Sequence, residues 1–219
     1  MSETTTKQAL LRAAITVFAD KGYLSARVRE ICALAGANAA AVNYHYGGKE
    51  ALYAAVLEHI FTHSHPDAPL EPAPDEPDTP RAGVVRHVRR MIRDMYALDG
   101  DSGVHAELGR IFIRELAAPS DNLTRLIERY ALPKSAELGA VIREYLGPNA
   151  SEETVFNCVY SLRAQVMHGI VFWPVIREIR PGYADMQDLA RRIEEHVIAF
   201  TMGGLEAVRR TLEKQRGKK

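Results

Sequence analysis

Between Ser25 and Leu52 the chain reads SARVREICALAGANAAAVNYHYGGKEAL, and its second half sets alanines at 39, 40 and 41 beside Asn43, Tyr44 and His45. Amide, phenol and imidazole groups can hydrogen-bond to a nucleic acid, and small residues let a backbone sit close to it. A second candidate group is a pair of opposite charges. At about 100° per residue, Glu115 falls on the helix face of Val104, Leu108, Ile111 and Phe112, and Arg163 on that of Phe156, Val159, Val166, Met167 and Ile170. An unpaired buried charge is costly, so each needs a partner. Either they pair with each other or with nearby polar groups as a lock, or one of them reads the polar end of a ligand. Met91, Met95, Tyr96, Phe112, Tyr130 and Met167 would then line an apolar pocket or simply form core.

Other chemistries find little support. His59 and His63 are four apart, with His65 just beyond, but no cysteine or carboxylate at ligand spacing completes a metal set. No phosphate-cradling glycine loop, nucleophile elbow or zinc-protease motif is present, so neither an enzyme, a metal nor a cofactor is expected. Cys32 and Cys158 each fall in a predicted helix among apolar neighbours, where a free cysteine packs as a small hydrophobe.

The elements that must position the first group follow from local physics. An apolar run, Val28, Ile31, Leu34 and Ala35, ends at Gly36, which supplies a left-handed residue; Asn38 then caps a second helix, 38–46. Two short helices joined by a tight glycine turn form a helix-turn-helix, whose second helix reads the major groove of DNA. Ahead of it, residues 5–21 form a helix with the stripe Leu10, Ala13, Ala14, Val17 and Phe18, a Thr5–Gln8 capping box and a stop at Gly22. A fourth helix, from about 48 to 63, turns Leu52, Val56, Leu57 and Ile60 inward.

This segment resembles the DNA-binding domain of TetR-type transcriptional regulators. Gly22-Tyr23, Val28-Arg29-Glu30-Ile31, Ala35-Gly36 and Tyr44-His45-Tyr46-Gly47-Gly48-Lys49-Glu50-Ala51-Leu52 stand where that family has similar residues, over roughly the first 60 positions without a gap. The resemblance implies that Asn38 contacts phosphate, Ala39 and Ala40 face base edges or methyl groups, and Asn43 hydrogen-bonds a base. Tyr44 and Lys49 match backbone-contacting positions, and His45 is a further contact or a support. Where the family commonly has a hydroxyl residue opening the second helix, this chain has Ala26 and Arg27, so Arg27 replaces that phosphate contact or Ser25 caps the helix. The run Arg114-Glu115-Leu116-Ala117-Ala118-Pro119-Ser120 also resembles a TetR subgroup, the CerR-like regulators, and implies a small-molecule effector of unknown identity.

Composition bounds the rest. The chain has 219 residues, 47% of them hydrophobic, and a net charge of zero, so it is no general polyanion binder. Through residue 65 there are six basic and five acidic residues, and DNA contact must rest on shape, base contacts and dimerisation. Residues 64–80 carry six prolines and five carboxylates and are expected to form a mobile acidic loop. From Arg81 the pattern is helical at about 82–98, 103–117, 121–131, 134–146, 152–173 and 185–214, with breaks at Pro133 and Pro174 among others and no strand pattern.

The expected fold is all-α: a helix-turn-helix DNA-binding domain, 1–50, and a helical ligand-binding and dimerisation bundle, 51–219, with candidate ligand residues Phe112, Glu115, Arg163 and Met167. On 185–214, Met186, Leu189, Ile193, Val197, Phe200, Gly204 and Val208 form one stripe, which in the resembling family would pair helices across a two-fold axis and otherwise completes an internal core. No apolar run is long enough to span a membrane and no signal-peptide core opens the chain, so a cytoplasmic location is expected. The resulting expectation is a homodimeric repressor on a palindromic operator, released by an effector. The alternative is an all-helical carrier or enzyme with a vestigial helix-turn-helix.

Overall fold

The computed structural model describes the backbone of residues 3–62, 77–96 and 102–216. Among them there are helices and turns and no strand. The helices are α1 (Glu3–Ser25), α2 (Val28–Leu34), α3 (Ala41–Tyr46), α4 (Lys49–Thr62), α5 (Pro80–Tyr96), α6 (Ser102–Ala117), α7 (Asp121–Leu126), α8 (Leu132–Leu146), α9 (Glu152–Val171), α10 (Trp173–Ile179) and α11 (Met186–Arg216). The expected acidic loop and the histidines at 63 and 65 lie largely or wholly outside the described residues.

The chain falls into two compact units. The first holds α1–α4, α6 and α7. Its core is the expected α1 stripe, Leu10, Ala13, Ala14, Val17 and Phe18, packed with Ile31 and Cys32 of α2, Val42 of α3, Leu52, Val56 and Leu57 of α4, and Leu108 and Ile111 of α6. The second unit holds α5 and α8–α11 around Val84, Val88, Ile92, Tyr96, Leu138, Ile142, Val159, Leu162, Val166, Leu189 and Val197.

Several boundaries differ from the sequence pattern, each for a local reason. Thr5 lies inside α1, which starts by Glu3, and so does not cap it. Gly22 leaves the helical region at φ 75° and ψ 168°, a conformation nearly closed to other residues. Thr79 opens α5 instead: its hydroxyl accepts from Ala82 N–H at 3.2 Å, and Pro80 takes the first helical position, where its missing N–H costs nothing. Pro133 makes no break. A five-residue π turn, Ile127–Ala131, precedes α8, and its wider spacing accommodates a residue that cannot donate a hydrogen bond or tolerate the usual carbonyl four residues back. Pro174 does not end a helix but sits in the first turn of α10, so α9 stops at Val171. The stripe read on 185–214 is buried only in part within the single chain: Leu189 and Val197 are in the core, whereas Phe200 is 63% exposed and Gly204 is exposed as well.

Candidate nucleic-acid interface

The helix-turn-helix is held by its own backbone. Arg27 occupies the N-cap position of α2 in extended conformation, and Glu30 in the first turn accepts from its N–H at 3.3 Å. Neither the Arg27 side chain nor Ser25 caps this helix, so of the two expected arrangements the Arg27 guanidinium is left exposed. Glu30 also pairs with Lys21 at 2.7 Å, and that bond holds its carboxyl below the usual carboxylate range. Gly36 turns the chain at φ 64°.

The second helix of the motif is shorter than expected. It begins at Ala41 rather than Asn38, and Asn38 is not its cap: the Asn38 carbonyl accepts from Ala41 N–H at 3.1 Å, which closes a turn over 38–41 and leaves residues 39 and 40 in it. Two residues anchor α3. Val42 is fully buried, and the Tyr46 hydroxyl donates to the Lys7 carbonyl of α1 at 2.8 Å. With that face turned inward, Asn38, Ala39, Ala40, Asn43 and Tyr44 form a continuous outward surface, with Tyr44 74% exposed. His45 is half-buried, its ring edge-on to Tyr44 at 4.9 Å. Gly47 at φ 83° closes the helix, and its N–H donates to the Asn43 carbonyl.

Lys49 opens α4. Its ammonium lies over the Tyr23 ring, 4.6 Å from the centroid, and donates to the Leu24 carbonyl at 3.5 Å. Tyr23 in turn packs on Tyr53, with ring centroids 4.8 Å apart, and Tyr53 meets Phe18 edge-on at 4.9 Å. These aromatic supports were not among the candidate residues. Gly22-Tyr23 was visible as a family match, but nothing in the local pattern of Tyr53 distinguishes it from ordinary core.

The inward charges each have partners inside their own unit. Glu115 is 6% exposed; one carboxylate oxygen accepts from the Tyr53 hydroxyl at 2.6 Å, and the other from Ser120 N–H at 3.2 Å and Ser120 O–H at 2.7 Å. Burial, with the Glu115 bond adding to it, pushes the Tyr53 phenol well above its ordinary pKa. Ser120 also caps α7, accepting from Leu123 N–H. Phe112, one turn before, sets its ring edge-on to Phe61 at 6.2 Å, and Phe61 stacks on Tyr130. In the second unit, Arg163 donates to the Ser135 hydroxyl, and burial lowers the guanidinium's pKa from its ordinary value. Met167 is half-buried on the same helix. Of the two expected roles for Tyr96, pocket lining or core, the structure shows core, with its hydroxyl donating to the Val166 carbonyl at 2.8 Å. No group of three metal-ligating side chains occurs among the described residues, and no described helix is long and apolar enough to cross a membrane.

Comparison with known proteins fits this geometry. Residues 10–56 match the family of bacterial regulatory proteins of the tetR type, and residues 84–205 match the C-terminal domain of the HTH-type transcriptional dual regulator CecR. The second match is the subgroup to which the Arg114–Ser120 run points. The chain is 28% identical to CecR of Shigella flexneri over 167 residues, 74% of each chain. It is 39% identical to the transcriptional repressor NicS of Pseudomonas putida over 56 residues, about a quarter of each chain (26%). Among solved structures, the hemolysin II transcriptional regulator HlyIIR shares the fold at a TM-score of 0.54 and 19% identity, covering 89% of this chain and 98% of its own. The fatty acid degradation regulator FadR of Bacillus halodurans does so at 0.52 and 14%, covering 88% and 94%. The chain therefore belongs to the TetR family of DNA-binding transcriptional regulators, in the subgroup with a CecR-type C-terminal domain.

Proposed function

We propose that the protein is a cytoplasmic homodimer that binds a palindromic operator with two copies of the 38–46 surface, represses transcription there, and is released by a small-molecule effector. The observation that carries this reading is the outward surface Asn38–Ala40, Asn43 and Tyr44, presented by a helix whose opposite face is fixed through Val42 and Tyr46. Asn43 is suited to adenine, Ala39 and Ala40 to close approach and thymine methyls, and Tyr44, Arg27 and Lys49 to phosphates, with His45 beside them. NicS is named as a repressor, which favours repression; CecR is named as a dual regulator, so activation at some sites is the variant outcome.

Dimerisation is supported by apolar surface left uncovered in the single chain. Phe156 (56% exposed), Tyr160 and Phe172 lie at four-residue intervals on or at the end of α9, with Ala164 and His168 between them, and α11 adds Phe200, Gly203 and Gly204. Large exposed aromatics beside small residues suit close helix pairing across a two-fold axis. A dimer would set two recognition helices about 34–36 Å apart, one turn of DNA. An effector releases DNA only to the extent that it binds the non-DNA conformation more tightly.

The test is retention of genomic DNA fragments by the purified full-length protein, with sequencing of what is bound. A recurring palindrome, lost in Asn43→Ala with the fold intact, is the expected result. Absent or sequence-blind retention would transfer the reading to an all-helical carrier or enzyme with a vestigial helix-turn-helix.

A further inference from the structure

Two adjacent residues at the end of α6 are linked to the same side chain, Lys49, by separate routes. Arg114 donates through Nη1 to the Phe18 carbonyl at 2.9 Å and through Nη2 to the Asp20 carbonyl at 3.1 Å. These carbonyls belong to the turn of α1 just before Gly22, where the helix loses its regular geometry. A cation there also complements the negative end of the helix dipole. The guanidinium lies against Gly22 itself: a Cβ there would be in ordinary van der Waals contact, 3.6 Å from Arg114 Nη1. The guanidinium thus fixes the direction in which the chain leaves α1 toward Tyr23 and Leu24.

Glu115 makes the second route. Its buried carboxylate accepts from the Tyr53 hydroxyl, Tyr53 packs on Tyr23, and Tyr23 carries the Lys49 ammonium on its face. The other carboxylate oxygen is saturated by Ser120, so Glu115 cannot follow Tyr53 if that ring shifts. Leu24, fixed by the first route, offers its carbonyl to the same ammonium. Both routes therefore end on Lys49, one through the backbone and one through stacked rings.

We propose that Arg114 and Glu115 are positioning residues for DNA binding, which hold the Tyr23–Lys49 pair from two sides and so place the phosphate contact of Lys49. The inference rests on the reading that the helix-turn-helix binds DNA. It gives the Arg114–Ser120 run a role other than ligand contact: Arg114 fixes α1, Glu115 fixes α4, and Ser120 both locks Glu115 and caps α7. An Arg114 to lysine change is not conservative here, since one ammonium on a flexible stem does not reproduce a fork spanning two carbonyls.

The experiment uses full-length protein and a fluorescent duplex chosen from the genomic fragments that the wild type retains. Affinity is measured over a salt series for Tyr53→Phe and Arg114→Met, each alone and combined with Lys49→Ala. Each single substitution is expected to weaken binding and to lower the slope of log affinity against log salt by up to about 0.9, the value for one phosphate. In the Lys49→Ala background neither should weaken binding further. Tyr53→Phe removes a single oxygen and carries the test if Arg114→Met does not fold. Unchanged affinity and slope in folded variants, or an equal loss with and without Lys49, overturns the proposal while leaving DNA binding in place if Asn43→Ala still abolishes retention. If the wild type retains no duplex, the DNA-binding reading falls, and this inference with it.

Discussion

Gly169, in the last turn of α9, is a point where the second unit leaves no room for a side chain, and replacing it with alanine sets two effects of opposite sign against each other. Helix propensity alone favours alanine over glycine by at most about 0.8–1.0 kcal/mol, the value for a helix interior. Against this, a Cβ at Gly169 would collide with the Tyr96 hydroxyl and stand 3.1 Å from both Tyr96 Cζ and Leu189 Cδ2. Tyr96 is 2% exposed and cannot swing aside without giving up its bond to the Val166 carbonyl. A buried hydroxyl left unsatisfied costs about 1–3 kcal/mol, and forcing one extra carbon into a packed core a similar amount. The packing terms outweigh propensity, and Gly169→Ala is expected to be destabilising by roughly 2–3 kcal/mol. Urea unfolding monitored by circular dichroism measures this as a lower midpoint at unchanged slope. Tyr96→Phe removes the colliding oxygen, so it should cost less in the Gly169→Ala background than in the wild type. A Gly169→Ala protein as stable as the wild type, or more so, would refute the close approach of α5 and α9 at this point.

Two further outcomes follow from exposed and buried groups in the same unit. His87 has Nδ1 2.9 Å from the Gly83 carbonyl and a buried Nε2 with no hydrogen-bond partner among the described residues. Burial lowers its pKa, with Arg90 and Arg86 acting in the same direction, while the Gly83 carbonyl and Glu137 oppose the shift. The unfolded chain takes up a proton near the ordinary value of 6.5 and the folded chain only at lower pH, so stability is full above that value and declines as pH falls below it. His87→Gln should flatten the urea midpoint across that window, and an unchanged pH profile would count against the burial of this imidazole. At the proposed dimer face, Phe200→Asp or Phe156→Asp places a charge on an apolar surface whose aromatic groups each contribute about 1.5–3 kcal/mol when fully buried. Sedimentation should show the dimer dissociating at higher concentration than the wild type by tenfold or more. Unchanged association in both variants would place the interface elsewhere.

The sequence by itself determined the N-terminal architecture. The α1 stripe Leu10, Ala13, Ala14, Val17 and Phe18 is buried throughout, and Gly22 and Gly36 take the positive φ that their positions demanded. These features are legible because each depends on residues close along the chain: a helical period, a residue without a Cβ, a turn between two short helices. The inward placement of Glu115 was legible for the same reason, since one helix's periodicity fixes it.

Only the tertiary structure decided which groups answer those charges. Glu115 is bound to Tyr53, 62 positions away, and Arg114 to the carbonyls of Phe18 and Asp20 more than 90 positions away, and no spacing rule connects such residues. The stripe on α11 divides for a related reason. Residues on one side of a helix can be either core or surface, and packing within the unit covers Leu189 and Val197 while leaving Phe200 and Gly204 exposed. Likewise Pro133 reads as a break because proline lacks a donor, yet the π turn before it removes the clash that would have made one. Local chemistry specifies where helices begin, bend and turn; the partners that hold them come from packing over long separations, where the same residue types fit many alternatives until the fold selects one.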